Sequence, residues 1–188
     1  SRLRALRIQL ADNRYMRRKL LWLRSFAVQR EMYQKRVANG LLSRRAHQAL
    51  VWDLKHMHID MDERHPVPVQ HLPSDRWSTA ALLHRLQRMT PDVRLFHGIQ
   101  NRYCLALTEE ATAVIAAARA VRKEMEELAG FSAAEPEDVE NCRHYYQRLE
   151  NMACERLERL AESSADSGEA MLLRMASRLA VDARLDAI

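Results

Sequence analysis

Residues 38–43, Ala-Asn-Gly-Leu-Leu-Ser, interrupt an otherwise helical pattern, and no other feature constrains the fold as much. A long basic helical pattern runs from Arg14 up to this break, and a second one follows it as far as Arg64. Gly40, behind Asn39, supplies the left-handed backbone that ends a helix at no steric cost. Ser43 stands directly before Arg44, Arg45 and Ala46, where its hydroxyl can accept from a free amide of the next helix's first turn. A connection this short makes the two helices antiparallel neighbours. Asn39, Gly40 and Ser43 therefore predict the turn of a helical hairpin.

Each arm offers an apolar row at helical spacing. In the second arm Ala46, Leu50, Leu54, Met57 and Met61 follow in steps of four, four, three and four, which stacks them on one face. The first arm has a row at Met16, Leu20, Leu23 and Ala27, with Phe26, Tyr33 and Val37 on an adjoining face. The expectation is that the two rows meet and bury each other.

The rest of the chain is also helical. Only 4 glycines and 5 prolines occur in 188 residues, β-branched and aromatic residues are few, and no stretch alternates like a strand for long. Pro66, Pro68 and Pro73 exclude a helix over 66–73 and favour an extended connector. A short helix is expected from Ser74 or Asp75 through Trp77 and Met89, and a fresh start at Thr90-Pro91 leads to a helix ending near Leu128 or Ala129. Gly98 is a candidate kink or break in it, and its Ala-rich middle (Ala111 to Ala120) permits close approach of a neighbour. Another helix, about Glu137 to Ser163, carries Val139, Cys142, Tyr146, Leu149, Ala153 and Leu157 as its apolar row. A polar turn over 163–168 precedes a last helix, Glu169 to about Leu185. The predicted fold is all-α: a basic amphipathic helix and helical hairpin (1–65), the Pro-rich connector (66–73), and a helical bundle (74–188), five to six helices in total.

Several function classes lose support at this level. No Gly-rich phosphate loop, GxSxG elbow or HExxH occurs, so no catalytic or cofactor-binding constellation is expected and the chain does not read as an enzyme. His56 and His58, with Asp60 and Asp62 nearby, and Cys142 with His144, invite a metal reading. Residues two apart on a helix point about 200° away from each other, so neither pair chelates by itself, and no metal site is expected. The carboxylates Glu109, Glu110, Glu124, Glu126 and Glu127 fit a solvated helix face better than acid/base work. Three cysteines without CxxC spacing suit a reduced, cytoplasmic setting. The longest apolar run, Leu20 to Val28, is too short to cross a bilayer and contains Arg24. An opening that is already helical and Arg-rich, rather than an apolar leader, is expected of a segment of a longer polypeptide.

Net charge is +5, but it is unevenly spread. Residues 1–60 hold 14 Lys and Arg against 4 Asp and Glu, whereas residues 131–188 hold 7 against 12. One end is built to meet anions. Arg14, Arg17, Arg18, Lys19 and Arg24 lie beside Leu20, Leu21, Trp22, Leu23 and Phe26, a mixture that suits the boundary of an anionic leaflet, with Trp22 as the interfacial aromatic. An ordinary solvated face fits the same residues. Nucleic acid is not expected as a partner, because no reader module accompanies the charge.

The run from Arg30 to Glu63 resembles the cytoplasmic segment that follows the membrane domain in sodium/proton antiporters of the monovalent cation:proton antiporter superfamily. The resemblance rests on Gly40, then Leu41-Leu42-Ser43, then Leu50 and Leu54, and on the Asp-rich close Ile59-Asp60-Met61-Asp62-Glu63. Tyr33, ahead of the glycine, matches the long-tailed branch that includes the plant salt-tolerance exchangers. The resemblance implies a regulatory and dimerising tail at the cytoplasmic side of the cell membrane, part of an integral membrane protein. Its partners would be the transmembrane antiporter domain of the same polypeptide, a second copy as a homodimer, and anionic lipid head groups. The family's ion-binding membrane helices are absent from these residues, so transport itself would lie outside them. A free-standing helical scaffold or adaptor is the alternative, and a basic helical nucleic-acid-associated protein stands behind it.

Overall fold

The structure, a computed structural model, describes residues 2–63, 94–129 and 135–163, with side chains over 14–58, 104–127 and 135–161. These residues form four α-helices and no strand: α1 (Arg2–Ala38), α2 (Arg44–Glu63), α3 (Arg94–Ala129) and α4 (Pro136–Ser163). The all-α expectation holds for them. The connector 66–73, the helix through Trp77 and Met89, the start at Thr90-Pro91 and the last helix at 169–185 lie outside the described residues. α3 passes through Gly98 as one continuous helix, so the glycine does not split it.

Local chemistry explains the helix ends. Gly40 adopts φ 70°. Its N–H donates to Val37 O at 3.0 Å while Leu41 N–H reaches Arg36 O at 2.9 Å. This is the paired-bond stop in which a left-handed residue folds the chain back onto the last free carbonyls. Ser43 caps α2, its Oγ accepting from Ala46 N–H at 3.3 Å. At α4, Pro136 occupies the first turn, where its missing N–H costs nothing, and Glu137 and Asp138 place negative charge at the positive end of the helix.

α3 and α4 make the most extensive contact and run antiparallel. The Ala-rich middle of α3 lets this happen: Ala111, Ala113, Ala117 and Ala118 are all buried, and Ala111 and Ile115 meet Ala153 and Leu157 of α4. The α4 row read from the sequence (Val139, Cys142, Tyr146, Leu149, Ala153, Leu157) is buried throughout. α1 runs parallel to α4 and antiparallel to α3, as Arg18 against Asp138, Arg36 against Thr112 and Arg24 against Glu124 show. One core cluster draws residues from all four helices, so those on either side of the 66–73 connector share an interior.

The α2 row is buried at Ala46, Leu50, Leu54 and Met57. The α1 row is not. Met16 is 54% and Leu20 60% exposed, Ala27 is exposed, and Leu23 is only half-buried. The face turned inward carries Leu21, Trp22, Ser25, Phe26, Gln29 and Tyr33 instead. Two polar residues on that face hide it from a reading based on hydrophobicity. Both are satisfied inside: Tyr146 Oη lies 3.2 Å from Ser25 Oγ and 3.1 Å from Gln29 Oε1, and Gln29 Nε2 donates to Tyr33 Oη at 2.6 Å. Ser25 Oγ in turn donates to Trp22 O at 2.8 Å. A buried polar group that finds its partners costs little, and here it sets the rotation of α1 about its axis.

Candidate functional site: the basic helix and the groove beside it

The cations singled out from the sequence divide according to the side of α1 they occupy. Arg14 lies 3.1 Å from Glu135 and 3.0 Å from Glu137, at the start of α4. Arg18 Nε is 2.9 Å from Asp138 Oδ1, a carboxylate oxygen that is buried and receives no directed hydrogen bond. Charge, assisted by the amino end of α4, therefore holds this pair more than hydrogen-bond geometry does. Arg24 Nε donates to Glu124 Oε1 at 2.8 Å, and Lys19 is also engaged. Arg17 is exposed and pairs with nothing among the described residues. Three of the five cations singled out in the sequence, Arg14, Arg18 and Arg24, thus pair with carboxylates from later in the chain.

Trp22, expected beside these cations at a lipid boundary, is placed differently. It is 1% exposed, at the centre of the core. Tyr145 stands edge-on to it at 5.3 Å, and Phe26 and Tyr146 each lie at 6.3 Å. In this fold its indole faces α4 and not the solvent. The turn residues sit where the sequence puts them, and α3 adds a contact that local patterning could not reveal. Ser43 N–H donates to Glu109 Oε2 at 3.0 Å, so a carboxylate distant in sequence completes the cap of α2. Glu109, Glu110 and Glu124, which the sequence places on a solvated face, are engaged in the fold: Glu110 is buried, Glu109 accepts from the Ser43 cap of α2, and Glu124 binds Arg24 of α1.

One thiol and three phenols of the interior are held neutral. Burial pushes the Cys142 thiol up to about 12, against a smaller opposing effect of the Ser25 hydroxyl. Burial likewise pushes Tyr145 up to about 12 and raises Tyr146 and Tyr33 well above the ordinary phenol value. Such a thiol is not a nucleophile at neutral pH, since only the thiolate attacks. Glu150 is buried between two guanidiniums, Arg119 Nε and Arg122 Nη1, each at 2.8 Å, which satisfies it as a structural pair. Among the described residues no three His, Cys, Asp or Glu side chains converge as metal ligands would. His56 instead stacks on Trp52 at 3.6 Å, and His58 lies against Phe26 at 6.4 Å.

Between α1 and α2, lined by residues of these two helices, lies a groove of about 740 Å³. Leu23, Ala27, Val51 and Leu54 line it, and Arg30 and Lys55 stand at its edge. Leu23 and Ala27 of the α1 apolar row, whose spacing predicts burial against α2, stand on the wall of this groove instead.

No family model, curated protein or solved structure matches the chain. Among the described residues no helix is long and apolar enough to cross a membrane.

Proposed function

We propose that this chain is a cytoplasmic regulatory region of a sodium/proton antiporter, a non-catalytic helical module that biases a transport domain lying outside these residues. The observation that carries the reading is the reach of α1. Arg14 meets the first turn of α4, yet α1 continues from there back to Arg2, about 18 Å further at 1.5 Å per residue. A helix continuous with a packed core and extending past the first turn of α4 transmits orientation in a way that a flexible linker cannot. The resemblance over Arg30 to Glu63 supplies the family, and the glycine stop and serine cap at Gly40 and Ser43 fit it. Within this reading α1 and α2 form the hairpin, the later helices form the bundle, and the patterns over 74–89 and 169–185 bring the count to six. Pairing of two such modules would couple two transport domains through contacts that differ between active and inhibited states.

The test is the reading frame upstream of Ser1 and the exchange activity of its whole product. A succession of apolar spans there, and altered pH or sodium dependence of exchange when residues 14–163 are deleted, support the reading. An initiator methionine immediately before Ser1, or exchange indifferent to the deletion, overturns it.

The ion pairs of Arg14, Arg18 and Arg24 favour a second reading, a free-standing helical scaffold. They neutralise much of the arm that anionic lipid or nucleic acid would otherwise attract. Co-sedimentation with anionic and neutral vesicles separates the two. A salt-sensitive preference for anionic vesicles argues for the membrane-side reading, and equal indifference to both argues for the scaffold.

A further inference from the structure

The outward face of α1 carries a row that the other described residues leave open. Met16, Leu20, Leu23, Ala27, Arg30 and Gln34 follow in steps of four, three, four, three and four. That alternation is the seam along which a second helix packs at a shallow angle. Its N-terminal part is open to solvent at Met16 and Leu20, and its C-terminal part descends into the groove, where Val51 and Leu54 of α2 form the opposite wall. From Met16 to Gln34 the row extends about 27 Å, the length of a helix of some five turns.

Charge distinguishes this face from the inner ones. Of the α1 cations that face α3 and α4, Arg14, Arg18 and Arg24 are paired with carboxylates and Arg36 donates to the Thr112 hydroxyl, whereas Arg17 and Arg30 of α1 and Lys55 of α2 have no ion pair or hydrogen bond among the described residues. Glu31, which also borders the groove, is taken up by Lys35 at 2.7 Å. The rim is therefore net positive beside an apolar floor. We infer that the groove between α1 and α2, extended by Met16 and Leu20, receives an amphipathic helix of a partner protein whose flanks are acidic. A concave groove suits a cylinder better than a flat bilayer, and Trp22, the aromatic that the sequence offers as the lipid anchor, is in the core. The inference is independent of either reading of function, because α1 and α2 alone form the surface.

The test uses the full chain and three labelled 18-residue peptides, followed by fluorescence anisotropy. One carries Leu at the three–four positions with Glu on both flanks, one has Lys in place of every Glu, and one is a scramble of the first. The acidic peptide is expected to bind at least tenfold more tightly than the other two. Leu20→Asp, at an exposed position, and Ala27→Trp, which fills the groove, should each weaken it tenfold or more while circular dichroism and thermal midpoint stay unchanged. The double variant Arg30→Glu/Lys55→Glu should prefer the Lys peptide, a reversal that general stickiness does not produce. Equal binding of acidic and basic peptides, or unaltered binding by Leu20→Asp and Ala27→Trp, overturns the inference. So does sedimentation showing a dimer that Leu20→Asp dissociates, which assigns the face to a second copy. Loss of anionic-vesicle binding in Leu20→Asp, with no competition from the acidic peptide, assigns it to lipid and overturns the inference equally.

Discussion

Replacing Trp22 by alanine tests the rotation of α1, on which every surface described here depends. The indole is 1% exposed and touches Phe26, Tyr145 and Tyr146, so its removal forfeits both its transfer free energy and the contacts around the resulting cavity. Large aromatic truncations of this kind cost about 3–5 kcal/mol. The edge-on contact with Tyr145, worth roughly 0.5–1.5 kcal/mol, is part of that figure and not an addition to it. For a chain of this size the thermal midpoint should fall by about 6–20 °C, at roughly 2–4 °C per kcal/mol. Leu20→Ala, two residues away on the exposed face, should stay within about 0.5 kcal/mol. Urea unfolding followed by far-ultraviolet circular dichroism measures both. If Trp22→Ala costs less than Leu20→Ala, then α1 is turned the other way, its Met16–Ala27 row faces inward, and the groove assignment fails with it.

Three further outcomes follow from the same geometry. Gly40→Ala should lose about 1–2 kcal/mol, all of it backbone strain at φ 70°, because a Cβ there would meet nothing within 4 Å; Gly40→Asn should recover part of the loss in the same unfolding assay. Arg18→Gln should cost about 2 kcal/mol by stranding the buried Asp138 carboxylate, offset in part by the amino end of α4, whereas Arg17→Gln should be neutral within about 0.5 kcal/mol. Cys142, Tyr145 and Tyr146 have folded pKa values raised above their unfolded ones, so the stability they contribute is intact below about pH 9 and is lost as pH climbs toward 12. Urea midpoints should fall steadily across that window, and iodoacetamide at pH 8 should spare Cys142 until the chain unfolds; a midpoint flat to pH 11 or rapid native labelling refutes the burial.

The parts of the fold legible in the sequence are those governed by neighbours along the chain. Gly40 stops a helix and Ser43 caps the next whatever surrounds them, and Pro136 marks the start of α4 for the same local reason. The rows of α2 and α4 were legible because each helix has one apolar face, whereas α1 has two. Leu20 to Leu23 are consecutive apolar residues, so periodicity alone could not choose between them, and Ser25 and Gln29 made the buried face look the less apolar. Tyr146, 121 residues from Ser25, decides the matter, and such a contact leaves no trace in local pattern. The same limit applied to the charge. A run of arginines beside leucines reads alike whether its counterions are lipid head groups or the first turn of a distant helix. Glu135, Glu137 and Asp138 become its partners only once α4 lies alongside.

That separation has a consequence for synthesis. The α1 face bearing Trp22 and Tyr33 emerges from the ribosome long before its α4 partner exists. Tyr146 follows Ser25 by 121 residues, so at about 5–20 residues per second the delay is roughly 6–24 s. For that interval the nascent chain presents an aromatic surface with nothing to close it, and any holdase that meets the chain will find its footing there first.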